Sequence, residues 1–334
     1  MGPERAPRVS VVVPTYNRGP RLRDTVQALL ESRLDRGGPA ELIVVDDGSA
    51  VPVDLRGVTP PAGFALRVVR QDNAGPAAAR NAGFRVAAAD IVLFVDDDIL
   101  VPGGLIEQHL AAHERLGPAV VCGRCVLEPR PEERRLYAFL ESLGHDPGGQ
   151  ESHEFVRMEV VASGQISVPR SAFPVEGVYR QELKTPAAEE FELATRLRAR
   201  GVPVFLATRI VAVHLQPIDI HSISRQQYKH GLGYGEVAAK CPETLGLPAL
   251  ASVILANGPA GTGAGPGARA RRALRHLVST RPIRRSLLEL AALGERIPVP
   301  ERLQARLYHA AISSHFVAGV RHGLKTYGGS RPTG

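Results

Sequence analysis

The chain has 334 residues, 44% hydrophobic and 22% charged, with a formal net charge of +7. That length and balance suit one large or two modest globular domains with a sizeable core, and exclude a disordered or fibrous chain. With no Trp and 5% aromatic residues a base-stacking nucleic-acid surface is not indicated. Met1 to Arg8 is polar where a signal peptide would begin, and no run reaches the roughly 18–20 apolar residues of a membrane span, so a cytoplasmic protein is expected.

Val9-Ser10-Val11-Val12-Val13 reads as a strand stopped by Pro14. Leu22, Val26, Leu29 and Leu30 recur at helical spacing. Glu41 to Val45 is a second strand, ending at Asp46-Asp47-Gly48-Ser49, and Leu66 to Val69 is a third. Pro76 to Ala89 is an Ala-rich helix, and Ile91 to Val95 is a fourth strand ending at Asp96-Asp97-Asp98. Near-continuous apolar strands separated by helices predict a parallel sheet covered on both faces. Ligands of such sheets bind beyond the carboxyl ends of the strands, where all three polar clusters fall. Adjacent carboxylates repel and are costly beside an apolar core, so the triplet calls for positive charge, which a divalent cation on a diphosphate would supply. Taken alone, the triplet is equally compatible with a solvated acidic turn.

Further along, Ala119 to Gly123 reads as a strand and Glu132 to Leu143 as a helix. Val160 to Gly164 leads into Gln165 to Pro169 as a strand pair or a strand and turn. Glu189 to Arg200 is a helix stopped by Gly201. Pro203 to Leu206 and Ile210 to Val213 read as two strands, followed by His214 and a polar helical stretch around Ser224 to Lys229. Cys122 and Cys125 have CxxC spacing, but no second pair or His pair completes a zinc site, and reduced thiols are the simpler reading. From Gly265 onward thirteen basic residues face three acids, so the basic character belongs to a tail of two or three helices. That tail suits either an anionic membrane surface or packing and dimerisation.

Val11-Val12-Val13-Pro14-Thr15-Tyr16-Asn17-Arg18, Val44-Val45-Asp46-Asp47-Gly48-Ser49, Asn73-Ala74-Gly75 with Ala79-Arg80-Asn81-Ala82-Gly83, and Phe94-Val95-Asp96-Asp97-Asp98 together resemble the family 2 glycosyltransferases of the GT-A fold. Order and spacing match over residues 9–103 and stay readable to about residue 235; the tail beyond about 250 is not covered. The resemblance implies an α/β fold: a Rossmann-like, mostly parallel central sheet flanked by helices, with a C-terminal helical extension. It divides the chain into a nucleotide-sugar-binding half (1–110), an acceptor-binding and catalytic half (111–235), and a basic extension (236–334) with a Gly/Pro-rich linker at 257–267.

The same resemblance implies an inverting transfer from a nucleotide-diphosphate sugar, with UDP the expected nucleotide. Pro14, Thr15, Tyr16, Asn17, Asp46, Asp47, Arg80, Asp96 and Asp97 would bind the nucleotide, Asp47 accepting from a ring N–H of the base. Asp96 and Asp98 form the DxD element. Asp98, Asp96 and His214 would hold Mn²⁺ or Mg²⁺, with Asp97 an alternative ligand and His221 a weaker candidate. Glu189-Glu190-Phe191-Glu192-Leu193 stands where the family has Glu-Asp-x-Asp-Leu, which maps the base to Glu190, with Glu189 and Glu192 as alternatives or partners. The departure from Asp adds one methylene, and acids at a helix start are also what the helix dipole favours. Gly164 and Gln165, with Glu192, would face the sugar and acceptor. The acceptor stays open among a glycan, a lipid-linked molecule and a natural product, at the inner face of a membrane or free in the cytoplasm. Two other readings stand beside this one: a non-catalytic sugar-nucleotide-binding relative, and a nucleotidyltransferase, which would carry a Gly-rich loop where Pro14 to Arg18 stands.

Overall fold

The computed structural model describes residues 6–32, 34, 38–127, 134–142, 153–215, 218–257 and 266–328. Of the linker expected at 257–267, residues 258–265 lie outside the described residues. The chain divides into two compact units. The first takes its described residues from Met1–Glu128, Asp146–Glu182 and Arg196–Gln216, the second from Pro129–His145, Leu183–Thr195 and Pro217–Gly334.

In the first unit the β-branched runs become β1 (Ser10–Thr15), β2 (Ala40–Asp46), β3 (Phe64–Arg70) and β4 (Ile91–Val95), which pair in parallel in the order β3-β2-β1-β4. Such neighbours need crossovers, and α1 (Pro20–Glu31) and α2 (Pro76–Val86) supply them. Both helices open with Pro in the first turn, where a missing N–H costs nothing. Gly83 on α2 lets the helix lie against β1, since a Cβ there would meet Val12 Cγ2 at 3.0 Å. Val11, Val13, Leu42, Val44, Leu93 and Val95 share one core with Val26 and Leu29 of α1.

Beyond β4 the sheet changes sense. β5 (Ile99–Leu100), β6 (Val120–Leu127), β7 (Phe155–Met158), β8 (Gln165–Pro169) and β9 (Val204–His214) complete a nine-stranded mixed sheet among the described residues. β8 runs antiparallel to both β4 and β6, β6 and β9 are parallel, and β5 and β7 pair antiparallel with β9. The parallel half and flanking helices match the expected α/β architecture. The strand expected at Gln165 to Pro169 is β8; the patterning did not show its antiparallel place between β4 and β6, the short β5 and β7, or the helix α3 (Leu105–Leu116).

The two strands expected at 203–206 and 210–213 are one. The polar Thr208-Arg209 break is absorbed as a register shift, where Gly123 pairs with Ala207 and the next residue, Arg124, with Val211. Thr208 N donates to Glu154 O at 3.0 Å and Arg124 Nη1 to Thr208 O at 3.1 Å, so the bulged backbone keeps partners.

In the second unit, α4 (Arg134–Ser142), the first part of α5 (Ala188–Ala199), α6 (Ile220–Lys240), α7 (Pro248–Asn257), α8 (Pro266–Val278), α9 (Arg281–Arg296) and α10 (Glu301–Tyr327) pack together. α6 starts on a reciprocal cap, with Ser222 N donating to Asp219 Oδ1 at 2.7 Å and Asp219 N to Ser222 Oγ at 3.0 Å. α6 and α10 approach at glycines. A Cβ on Gly235 would lie 2.7 Å from Gly323 Cα, and one on Gly319 would lie 2.9 Å from Leu232 N.

Candidate functional site

Parallel pairing aligns the carboxyl ends of β1, β2 and β4 and gathers their polar residues at one edge; Thr15 stands opposite Asp46. Asp46 is buried. Burial alone would raise its pKa, but hydrogen bonds from Ser49 and Val53 and the Arg70 charge outweigh it and hold the carboxyl below its usual range. Asp47 N donates to Thr15 O at 2.9 Å, tying the two strand ends together. The Asp47 carboxylate accepts from Gln71 Nε2 (2.7 Å), Ala74 N (2.9 Å) and Gly75 N (2.8 Å), which shapes the loop entering α2. Gly48 holds φ 77, in the left-handed region, and a Cβ there would meet Asn73 N at 2.7 Å. Asn17, at φ 56, locks the first loop to the second: its N–H donates to Ser49 Oγ at 3.0 Å and its Oδ1 accepts from Ala50 N at 2.9 Å. Pro14 is buried as the fifth residue of β1, and Tyr16 is half exposed.

Each member of the aspartate triplet has its own stabilising group. Asp96 accepts from Arg80 Nη2 at 2.6 Å, and the same guanidinium lies over the Tyr179 ring at 5.3 Å. Asp97 accepts from Thr15 Oγ1 at 2.6 Å and is 3.5 Å from Arg18 Nε. Burial pushes its carboxyl up to about 6, and the neighbouring Asp98 and Asp96 push the same way against Thr15 and Arg18. Asp98 lies 3.4 Å from Arg18 Nη2 and 3.4 Å from His214 Nε2. His214 arrives because β9 pairs it with Ile99, and Leu215 N donates to Asp98 O at 2.8 Å.

Gly164 and Gln165 reach the same place from β8: Asp96 N donates to Gly164 O at 3.1 Å, and Gln165 pairs with Val95. The Gln165 side chain is fully buried and turns inward, donating from Nε2 to Arg124 O at 2.7 Å and holding Oε1 3.1 Å from His109 Nε2. Behind it His109 Nδ1 and His113 Nε2 both contact Ser167 Oγ, at 2.9 and 2.7 Å. Cys122 is buried, and burial pushes the Cys125 thiol up to about 12, which makes it a poor nucleophile.

Glu189, Glu190 and Glu192 belong to the second unit, in the first turns of α5, where the helix dipole favours carboxylates. Glu189 and Glu192 are buried. Tyr234 of α6, edge-on to Phe191 at 4.6 Å between ring centroids, has its hydroxyl pushed up to about 12 by burial and by the Glu190 charge. The segment entering α5 is held by the buried Glu236, whose carboxylate accepts from Thr185 N at 2.9 Å and Lys240 Nζ at 2.6 Å. His221 lies in the first turn of α6, also in the second unit.

Residues 10–150 match the family model Glycosyl transferase family 2, and this stretch contains all three polar clusters. Over this segment the chain is similar to glycosyltransferase family 2. It is 30% identical over 226 residues to validoxylamine A glucosyltransferase of Streptomyces hygroscopicus subsp. limoneus, covering 59% of this chain and 49% of that protein. It is 31% identical over 198 residues to pre-mycofactocin glycosyltransferase of Mycobacterium tuberculosis, covering 58% of this chain and 39% of that protein. This chain thus spans about half the length, or less, of these curated relatives. The mannosyltransferase PcManGT from Pyrobaculum calidifontis, solved in complex with GDP-Man and Mn²⁺, superposes with a TM-score of 0.54 at 23% identity, over 93% of this chain and 86% of that one. At that identity it is the fold that is shared.

Asp98 and His214 supply an oxygen and an imidazole donor 3.4 Å apart. Among the described residues no group of three or more His, Cys, Asp or Glu side chains could hold a metal ion. A two-donor set fits Mn²⁺ or Mg²⁺ only as an ion shared with phosphate oxygens, which is how such ions sit beside nucleotide diphosphates. Arg18 closes the first motif, and that place is the sequence signal for it. Tyr179 has no local signature, because its contact with Arg80 joins residues far apart in the chain.

Proposed function

We propose that this chain transfers a sugar from a nucleotide-diphosphate donor, a UDP-sugar by preference, to an acceptor nucleophile by direct displacement with inversion at the anomeric carbon. The observation that carries the reading is the aspartate triplet at the carboxyl end of β4, with Arg80, Arg18, Thr15 and His214 each placed on one or two of its carboxylates. Three buried or half-buried acids supported in this way form an organised polar site of the sort a charged diphosphate needs, where an ordinary turn would leave them in water.

Asp47 and the loop it fixes are assigned to the base, with Pro14, Thr15, Tyr16, Asn17 and Asp46 lining the nucleoside. Asp96, Asp97 and Arg80 are assigned to the ribose and phosphates, and Gly164, the backbone at Gln165 and Glu192 to the sugar and acceptor. Asp98 and His214 would hold a divalent cation shared with the donor's phosphate oxygens, which when bound neutralises charge on the departing diphosphate. Glu190 takes the proton of the acceptor nucleophile as its new bond to the anomeric carbon forms and the bond to the diphosphate oxygen breaks; Glu189 is the alternative base. The glucosyl and mannosyl names of the relatives support a hexose donor.

The test is a thermal-shift panel of nucleotide diphosphates and their sugars with and without Mn²⁺, followed by an assay for released nucleotide diphosphate. A metal-dependent rise with one nucleotide family and slow donor hydrolysis are expected. Binding without any release would favour the non-catalytic relative, in keeping with the Glu-for-Asp departure at residue 190. No shift with any nucleotide would sink the donor-site reading.

A further inference from the structure

Helices α8 and α9 present apolar side chains to solvent. On α9, Leu290 and Leu293 follow at i and i+3 and are 49% and 48% exposed, and Ile297, the residue that ends the helix, is 46% exposed, while the neighbouring Ala291 and Gly294 are buried and Gln304 Nε2 donates to Ala291 O at 2.9 Å. One side of α9 is therefore packed, and beside it the exposed Leu290 and Leu293 form an apolar edge. On α8, Leu274 and Leu277 are 59% and 54% exposed. Arg271, Arg275, Arg281, Arg285 and Arg296 of the same two helices are exposed. From Pro266 to Arg296 the sequence holds eight arginines and two glutamates. Leucines at helical spacing flanked by arginines are the pattern of a helix that lies in a membrane interface, its apolar side among acyl chains and its guanidinium groups at headgroup level. Among the described residues no helix is long and apolar enough to cross a membrane.

We propose that the outer faces of α8 and α9 form a peripheral docking surface for an anionic lipid bilayer. Charge selects this occupant. A second copy would bring two arginine-rich faces together, whereas anionic headgroups complement them, each basic residue near such a surface adding attraction that falls within a Debye length. A nucleic-acid backbone would meet the arginines but give the exposed leucines nothing to bury against, and the segment carries no aromatic residue between residues 266 and 296 to stack on a base. The inference does not depend on the donor-site reading.

The absence of Trp from the chain supplies a clean probe. Leu293→Trp in the full chain is titrated with vesicles of phosphatidylglycerol and phosphatidylcholine, and with phosphatidylcholine alone. The expected result is a blue-shifted emission, quenched by brominated acyl chains, with anionic vesicles only. Co-sedimentation of the unmodified chain should fall about tenfold or more in the Leu290→Gln/Leu293→Gln double variant, and should weaken as salt is raised. Both positions are exposed, and retained cooperative unfolding of the double variant shows that the fold is kept. An unshifted spectrum, or equal binding to neutral vesicles, overturns the proposal. So does a concentration-dependent dimer that the double variant abolishes without any vesicle binding, which would assign the face to a second copy.

Discussion

Arg80 holds Asp96 at 2.6 Å while its guanidinium rests on the Tyr179 ring, so one arginine joins helix α2, the end of β4 and the segment before α5. The arginine side chain is 6% exposed and the carboxylate 27%. Removing one partner of a pair this shielded leaves a charge without compensation, so Arg80→Ala is expected to cost about 3 kcal/mol in urea unfolding and to shrink the nucleotide-induced thermal shift. Arg80→Lys should recover part of the stability, since a lysine keeps the charge but cannot both donate to Asp96 and lay a planar guanidinium over the Tyr179 ring. An Arg80→Ala variant of unchanged stability would show that the pair is ornamental.

Asp98→Asn and His214→Ala are expected to abolish the Mn²⁺-dependent part of the thermal shift, and chelation of the unmodified chain should do the same. Loss of a charge-stabilising group at the leaving diphosphate should lower turnover about 100-fold or more. Isothermal titration of Mn²⁺ in the presence of nucleoside diphosphate is the direct check. Metal binding that survives both substitutions would move the ligands elsewhere.

Glu190→Gln keeps the size of the side chain and removes its basicity. Turnover should fall by roughly 10²–10⁴ with the nucleotide thermal shift intact, and the acidic limb of the pH–rate profile should vanish. Near-normal transfer would remove Glu190 as the base; the same profile measured on Glu189→Gln then decides whether its neighbour takes the role.

Burial pushes both His109 and His113 down to about 4, from a reference near 6.5. Between those values the unfolded chain binds more protons than the folded one, so their contribution to stability is complete above about pH 6.5 and is lost as the pH falls toward 4. From pH 7 to 5 the unmodified chain should lose about 2 kcal/mol more than His109→Gln does, read from urea midpoints at each pH. Parallel slopes for the two proteins would mean that the buried histidine is not titrating.

Gly235 of α6 faces Gly323 of α10 so closely that an added Cβ would lie 2.7 Å from its Cα. Gly235→Ala must push backbone away from backbone, and a loss of about 1–3 kcal/mol is expected even though alanine favours helix. Gly246→Ala, where a Cβ meets nothing within 4 Å, is the matched control.

The sequence by itself determined the four parallel strands, their crossover helices, the gathering of three polar clusters at one sheet edge, and the likeness to glycosyltransferase family 2. These features are local: apolar runs of strand length, prolines at helix starts and short motifs follow one another along the chain, and parallel pairing then aligns their ends without further instruction. What each acid does there was decided only in three dimensions. Thr15 reaches Asp97 across 82 residues, Asn81 ties down the backbone of Tyr179 across 98, and His214 arrives beside Asp98 because one long strand absorbs a bulge that reads in sequence as a gap between two. Gln165 turned inward for the same kind of reason. On an antiparallel strand buried between β4 and β6, its amide is satisfied by Arg124 and His109, residues that no periodicity in its own neighbourhood could name.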